Sequence, residues 1–379
     1  MDDTFKVYRG KKVLITGHTG FKGSWLALWL TELGATVYGY ALGPPTSPSL
    51  FELLNLEKAI EHEEADIRDA DRLRKSVQRI KPDIIFHLAA QSLVRMSYDA
   101  PLETIQANTM GTVNLLEAVR QTGLATAIVL VTSDKCYENR EWLFGYRESD
   151  AMGGYDPYSA SKAACEILIS SWRNSFFSPA TIRDHGVRVA SARAGNVVGG
   201  GDWSKDRIVP DCIRDLQNHT FITVRNPYST RPWQHVLDPL SGYLELGRRL
   251  LESSSERAAD FCEAFNFGPR LTSNKCVKDV VEKIIELWGS GSWKWISNEG
   301  LHESSLLNLS IEKAYHKLQW HPKWNFSETM TRTVEWYQQA LLEPSLLHEF
   351  TLGQIKAYQA DRLVPSQSFH KTHDLALNS

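Results

Sequence analysis

A doubly wound α/β fold, in which a parallel sheet is covered by helices on both faces and followed by a smaller C-terminal region, is what this 379-residue sequence predicts. Short β-rich runs alternate with amphipathic stretches through the first half, which requires crossover connections and therefore parallel strands. A glycine-rich turn joins the first of those runs to a helical stretch. Beyond about Gly195 the alternation gives way to an irregular segment rich in Trp, Pro and Asn.

Strands are expected at KVLIT (12–16), ATVYGYAL (35–42), DIIFHLAA (83–90), AIVLVTS (127–133) and GVRVASAR (186–193). Between them run the helical stretches FKGSWLALWLTEL, DADRLRKSVQRI and ETIQANTMGTVNLLEAVRQ. The segment LGPPTSPS holds three prolines and reads as loop. Further helices are expected near 207–217, 237–252, 276–288 and 310–318, with Trp288, Trp293, Trp295, Trp320 and Trp324 filling the C-terminal core. Residues 346–379 read as a polar tail, poorly ordered at its end.

Composition excludes several classes of partner. At 42% hydrophobic and 23% charged residues the chain buries a full core, and a net charge of −3 leaves no electrostatic footprint for nucleic acid or an anionic membrane. The five cysteines, at 136, 165, 212, 262 and 276, form no CxxC pair and are odd in number. Neither a disulfide framework nor a metal site is expected, and a reducing cytoplasm fits. The start MDDTFKVYRGKK is too polar for a signal peptide, and no apolar run approaches the ~20 residues of a membrane span.

Strand KVLIT runs into Gly17-His18-Thr19-Gly20-Phe21-Lys22-Gly23, a GxxGxxG turn opening a helix. Glycines allow close approach of a pyrophosphate, and the helix N-terminus offers N–H groups and a favourable dipole, so dinucleotide binding is expected over a plain tight turn. The ribose-binding acid usual at the end of the second strand is replaced by Tyr40. No cation waits there for a 2′-phosphate, unless Lys22 turns outward, so NAD is the expected cofactor and a weakly held one. Asp66 would either accept from the adenine amino group or cap the following helix.

Chemistry enters with Tyr158-Ser159-Ala160-Ser161-Lys162. A spacing of four puts Tyr158 and Lys162 on one helical face, where the ammonium would lower the phenol's pKa and make it a base. At the end of AIVLVTS come Thr132, Ser133, Asp134 and Lys135, an acid and an amine side by side where parallel sheets hold their chemistry. His87 reads as packed, and Cys136 likewise, since no thiolate is called for.

Together the glycine turn, the Ser/Thr strand end and YxxxK resemble the short-chain dehydrogenase/reductase family in its extended form, from about residue 10 to about 330. The resemblance implies an NAD-binding Rossmann domain over 1–195 with parts of 230–275, and a mainly substrate-binding region over 196–345. Gly17, Thr19, Gly20, Phe21, Lys22, Gly23, Asp66, Ile67, Leu88, Ala89, Ala90, Asn108, Tyr158 and Lys162 would hold the cofactor. RAGNVVGGGDW and STRPWQHV resemble the family's nucleotide-sugar segments, so that Gln91, Ser92, Asn196, Trp203, Arg207 and Arg231 would bind substrate, Arg231 as a phosphate fork. Trp203 or Trp233 would stack on the base.

Within the family, nucleotide-sugar 4,6-dehydratases carry an acid followed at once by a second proton-transfer residue, typically Asp-Glu, and here the pair is Asp134-Lys135. TSDKCYEN, GGYDPYSASKAACE and GNVVGGGDW resemble the CDP-glucose-directed members. That implies Tyr158 taking the 4-hydroxyl proton, Lys135 the proton on carbon 5, Asp134 donating to the departing 6-hydroxyl, and Thr132 and Ser133 holding the 4-oxygen. A base must be neutral, and an ordinary lysine near ~10.4 is not, so Lys135 would depend on burial and Lys162 to depress it. The resemblance further implies 3,6-dideoxyhexose synthesis for surface polysaccharide (O-antigen) and a homodimer or higher homo-oligomer through the helices holding Asn108 and Tyr158. Another nucleotide-sugar dehydratase, a 4-epimerase and a non-catalytic dinucleotide sensor are the alternatives.

Overall fold

The computed structural model describes residues 3–296 and 306–364. β1 (Lys12–Thr16) is buried at four of five positions, as a strand covered on both faces must be. It leads through the glycine turn to α1 (Phe21–Glu32), then β2 (Thr36–Ala41), β3 (Glu61–Glu64), α2 (Ala70–Ile80) and β4 (Ile84–His87). α3 (Gly111–Thr122), β5 (Ala127–Val131), α4 (Pro157–Ser175) and β6 (Arg188–Arg193) follow. The later chain adds α5 (Ile208–Gln217), α6 (Leu237–Glu252), β7 (Ala264–Asn266), α7 (Val277–Trp288), α8 (Phe326–Leu342) and α9 (Leu347–Leu363).

The strands form one seven-stranded sheet, ordered β7-β6-β5-β4-β1-β2-β3 and parallel at every pairing. The order reverses between β1 and β4, the switch point outside which open α/β sheets bind ligands. β7 comes from residues beyond the first half, so the sheet is completed by the segment that also carries α6.

The triple glycine of 199–201 places the loop that crosses the switch point. A Cβ at Gly200 would overlap the Trp336 ring, and Trp25 Nε1 donates to Gly200 O at 2.9 Å. The loop is thereby clamped between α1 and α8, and its continuation through Asp202 and Trp203 faces the cleft.

Two expectations are corrected. The polar tail expected from 346 is a docked helix as far as Leu363, because Leu347, Thr351, Ile355 and Tyr358 recur at helical spacing and are all fully buried. The remainder of that segment, 365–379, lies outside the described residues. Trp320 and Trp324 pack inside as expected, but Trp295 is 65% exposed, on a short strand paired with Ile222–Val224.

Candidate active site

A cleft of about 1800 Å³ opens at the C-terminal ends of β1, β4 and β5, lined on one side by the glycine turn and on the other by residues 194–214. Gly17 has φ +78°, and a Cβ there would run into the Ala89 backbone; one at Gly23 would meet the Gly17 carbonyl. The turn therefore lies flat against the β4 loop. α1 begins without a side-chain cap and without an acid in its first turn, which leaves its N–H groups open to the cleft. The cradle, the uncapped helix end and the buried Lys162, whose Nζ makes no hydrogen bond among the described residues, fit a dinucleotide.

Thr19, Phe21, Lys22, Ile67, Leu88, Ala89 and Ala90 line this limb. Lys22 turns inward, not outward towards a 2′-phosphate. Burial lowers its amine to about 8, with Arg207 and Lys162 pushing the same way and Asp134 and Asp202 opposing them. Tyr40 is buried and its hydroxyl donates to the Asp66 carbonyl at 3.0 Å. The Asp66 carboxylate accepts from the Arg68 backbone N and Nε, each at 2.8 Å, and the guanidinium holds it below the usual carboxylate range. The cap of α2 is Asp69, which accepts from Arg72 N, so Asp66 does not cap that helix.

Asn108 stands behind the cleft wall. Its amide accepts from Gln91 N at 2.7 Å and donates to Gln91 O and Ser161 Oγ, each at 2.9 Å. It braces the Gln91 loop, which lines the cleft. Gln91 lines the cleft, but its side chain is engaged by Leu93 of its own loop and by Thr104 of the short helix Pro101–Ile105.

Thr132, Ser133, Asp134, Lys135, Tyr158 and Lys162 converge on the centre of the cleft. Asp156 caps α4 by accepting from Ser159 N at 2.9 Å, which fixes Tyr158 in the first turn and Lys162 a turn later. Ser133 Oγ donates to Asp134 Oδ1 at 3.0 Å, and Asn196 Nδ2 donates to Oδ2 at 3.3 Å. Burial pushes the Tyr158 phenol up to about 12, and the Ser133 hydroxyl leads the opposing influences. The lowering expected from Lys162 is not among the leading influences on the phenol; Ser133 and Arg207 lower it and burial prevails, as burial also lowers Lys162.

On the substrate limb, Arg207 pairs with Asp202 at 2.8 Å and donates to Ser92 Oγ at 3.1 Å, spanning the cleft. Arg231 lines the cleft from a short strand, Thr230–Pro232, paired antiparallel with Asn274–Cys276. Trp203 packs edge-on against Tyr337 at 5.1 Å, and Trp233 donates to Lys275 O at 3.0 Å. His87 bonds Thr16 at 2.7 Å and Thr112 at 3.1 Å, and burial holds its imidazole near about 3, as a packed histidine.

Several residues escaped the motif reading. Glu166, one turn beyond Lys162, is buried with Arg193 at 2.8 Å and accepts from Thr132 and Ser191. Its i,i+4 relation to Lys162 was the available signal. His18 bonds His62 at 2.7 Å beneath the glycine turn, in space that a Cβ at Gly39 would take. No cluster of His, Cys, Asp and Glu fit for a metal occurs among the described residues.

A sequence model of the family described as GDP-mannose 4,6 dehydratase matches residues 14–333. The CDP-glucose 4,6-dehydratase of Salmonella typhimurium is 54% identical over 332 residues, covering 87% of this chain and 91% of that protein. The dTDP-glucose 4,6-dehydratase 1 of Escherichia coli K12 is 25% identical, over 86% of this chain and 92% of its own. Among solved structures, the dTDP-glucose 4,6-dehydratase of Streptomyces venezuelae with NAD and TYD bound superposes with a TM-score of 0.72 at 22% identity, covering 88% of this chain and 99% of its own, and so shares the fold. Matched over most of its length, the chain belongs to the GDP-mannose 4,6 dehydratase family, within the extended short-chain dehydrogenases/reductases.

Proposed function

We propose that this chain is an NAD-dependent CDP-glucose 4,6-dehydratase, which converts CDP-D-glucose to CDP-4-keto-6-deoxy-D-glucose. The observation that carries it is the convergence of Asp134 and Lys135 with Tyr158 and Lys162 in one cleft, an acid and an amine that neither an epimerase nor a sensor needs. The 54% identity to the Salmonella enzyme supports cytidine as the base.

NAD, when bound, supplies the acceptor for the carbon-4 hydride and returns it to carbon 6. Tyr158 takes the 4-hydroxyl proton, with Ser133 orienting the 4-oxygen; the step requires the phenol to be brought down from about 12, which the positive charge of a bound nicotinamide beside it would do. The hydrogen on carbon 5, now α to a carbonyl, goes to Lys135, while Asp134 gives its proton to the departing 6-hydroxyl. Lys162, one helical turn beyond Tyr158, brings its amine to the same cleft. Arg207 and Arg231 hold the diphosphate, their guanidinium forks matching its oxygens. Because the Asp202 carboxylate already pairs with Arg207, substrate phosphate competes with an internal partner there.

The product feeds 3,6-dideoxyhexose synthesis for surface polysaccharide. Exposed Leu102, Ile105 and Met110, just before α3, and Ile167 on α4 support a homodimer through that face. A sedimentation coefficient of a monomer at micromolar concentration would refute it. Five unpaired cysteines support a cytoplasmic site.

Incubation with CDP-, dTDP-, GDP- and UDP-hexoses tests the activity. A 4-keto-6-deoxy product from CDP-glucose is expected. Sugar inversion at carbon 4 without loss of water would point to an epimerase, and dinucleotide binding without turnover of any sugar to a sensor.

A further inference from the structure

The Asp134 carboxyl group is held by a turn 61 and 62 residues further along the chain, Gly195 and Asn196. Asn196 Nδ2 donates to Oδ2 at 3.3 Å. From beneath, Gly195 approaches so closely that an added Cβ would overlap Oδ2, Cγ and Oδ1 of Asp134, the three atoms nearest to it. Gly195 is not in the left-handed region, so its own backbone does not require glycine; the carboxyl group above it does. The turn is braced in its own right. Gln234, fully buried, donates through Nε2 to Gly195 O at 2.9 Å and to Phe267 O at 3.1 Å, and its backbone N donates to Asn196 O at 3.3 Å. Asn196 sits at φ +51°, which turns its amide back towards Asp134.

We propose that the Gly195–Asn196 turn, braced by Gln234, aims the Asp134 carboxyl group at the leaving hydroxyl, so that Gly195 and Gln234 are positioning residues for the acid step. This rests on the dehydratase reading above. In that step the Asp134 O–H bond breaks and its proton joins the 6-hydroxyl, whose bond to carbon 6 breaks to release water. The electron pair of the carbon 5–hydrogen bond, whose proton goes to Lys135, becomes the double bond between carbons 5 and 6. Asp134 is left as a carboxylate, with Asn196 and Ser133 donating to its two oxygens. Proton delivery is directional, and a displacement of about 1 Å costs about 100-fold in rate.

Gly195→Ala tests this in the full chain with added NAD. We expect kcat on CDP-glucose to fall about 100-fold with KM within about twofold, and reduced nicotinamide to accumulate because oxidation still runs. In an Asp134→Ala background the same substitution should change neither kcat nor Tm, since the carboxyl group it displaces is gone. Equal losses in both backgrounds would overturn the proposal. Gln234→Met keeps the side-chain length and removes both donated bonds; it should lower kcat in the same way, and a rise in KM alone would overturn its part. The Tm cycle needs no substrate. Wild-type protein that fails to turn over CDP-glucose would therefore overturn the dehydratase reading and leave the Gly195–Asp134 coupling still measured.

Discussion

Thr132 Oγ1 donates to Glu166 Oε1 across 2.5 Å, so the threonine at the end of β5 is fastened to a buried carboxylate one turn beyond Lys162. The same carboxylate accepts from Ser191 and Arg193, and Arg193 in turn donates to Tyr137 Oη at 2.7 Å. Burial pushes Glu166 up, but the Arg193 guanidinium and the two hydroxyls more than offset it and hold the carboxyl below the usual range. Strand end, helix and the loop after Asp134 are thus tied into one buried network, whereas the Ser133 hydroxyl lies outside it and donates to Asp134 Oδ1.

Thr132→Val should therefore act mainly on stability. Loss of a hydrogen bond to a charged group costs about 1.5–3 kcal/mol, to be read by urea unfolding, while kcat should fall less than in Ser133→Ala. A larger kcat loss than Ser133→Ala at unchanged stability would place Thr132 on the substrate. The network also has an acid limit: a depressed carboxyl stabilises fully above its unfolded value of 4.5 and loses that contribution as pH falls further.

Oxidation and elimination should separate by residue. Tyr158→Phe should remove about 10²–10⁴-fold of the rate of every step, as expected for a general base. Asp134→Asn and Lys135→Ala should slow loss of water by a similar factor and leave reduced nicotinamide visible by its near-ultraviolet absorbance. A substrate deuterated at carbon 4 should deliver its label to carbon 6. Equal loss of oxidation in all three variants would be incompatible with these roles.

Cofactor retention should be weak. Tyr40 is buried and bonded to the Asp66 carbonyl, and the Asp66 carboxylate is engaged by Arg68, so neither residue offers a free carboxylate to an adenosine ribose. Forgoing about 3 kcal/mol of charge-assisted hydrogen bonding raises Kd some hundredfold. Purified protein should emerge largely free of NAD and need it added for full rate. NADP should substitute poorly, because Lys22 faces the catalytic centre. Stoichiometric NAD in purified protein would contradict this.

Asp238 should make stability fall with rising pH. Burial raises it to about 7, although the Tyr358 hydroxyl, the backbone of Lys323 and Trp324 and more distant Arg270 all act to lower it. Oδ2 has no hydrogen-bond partner among the described residues, while Oδ1 accepts from Tyr358 Oη at 2.7 Å and thereby helps dock α9. A raised carboxyl stabilises fully below its unfolded value of 3.8 and loses that contribution as pH rises towards about 7. Asp238→Asn, neutral throughout, should gain on wild type by on the order of 5 °C in Tm at pH 8, with little gain at pH 4. A constant difference across that range would show that Asp238 does not titrate there.

What the sequence by itself determined was the local chemistry. Alternating strands and helices, the GxxGxxG turn, the adjacent Asp134 and Lys135 and the four-residue spacing of Tyr158 and Lys162 are patterns whose consequences lie within a few residues, where backbone geometry alone places the side chains. Only the tertiary structure decided what those side chains face. Asn108 turned to the Gln91 loop, Thr132 to Glu166, and Asp134 to a turn beyond residue 194. The helix at 347–363 was passed over because its buried face is interrupted by polar side chains whose partners lie far away in sequence, as for Tyr358 on Asp238 of α6 and Gln354 on the Arg332 carbonyl of α8. The phenol of Tyr158, expected to be lowered by its neighbour, is instead raised. The physical reason is common to all of these: hydrogen-bond direction and desolvation are set by which distant segments close over a group, and a linear pattern holds no record of that closure.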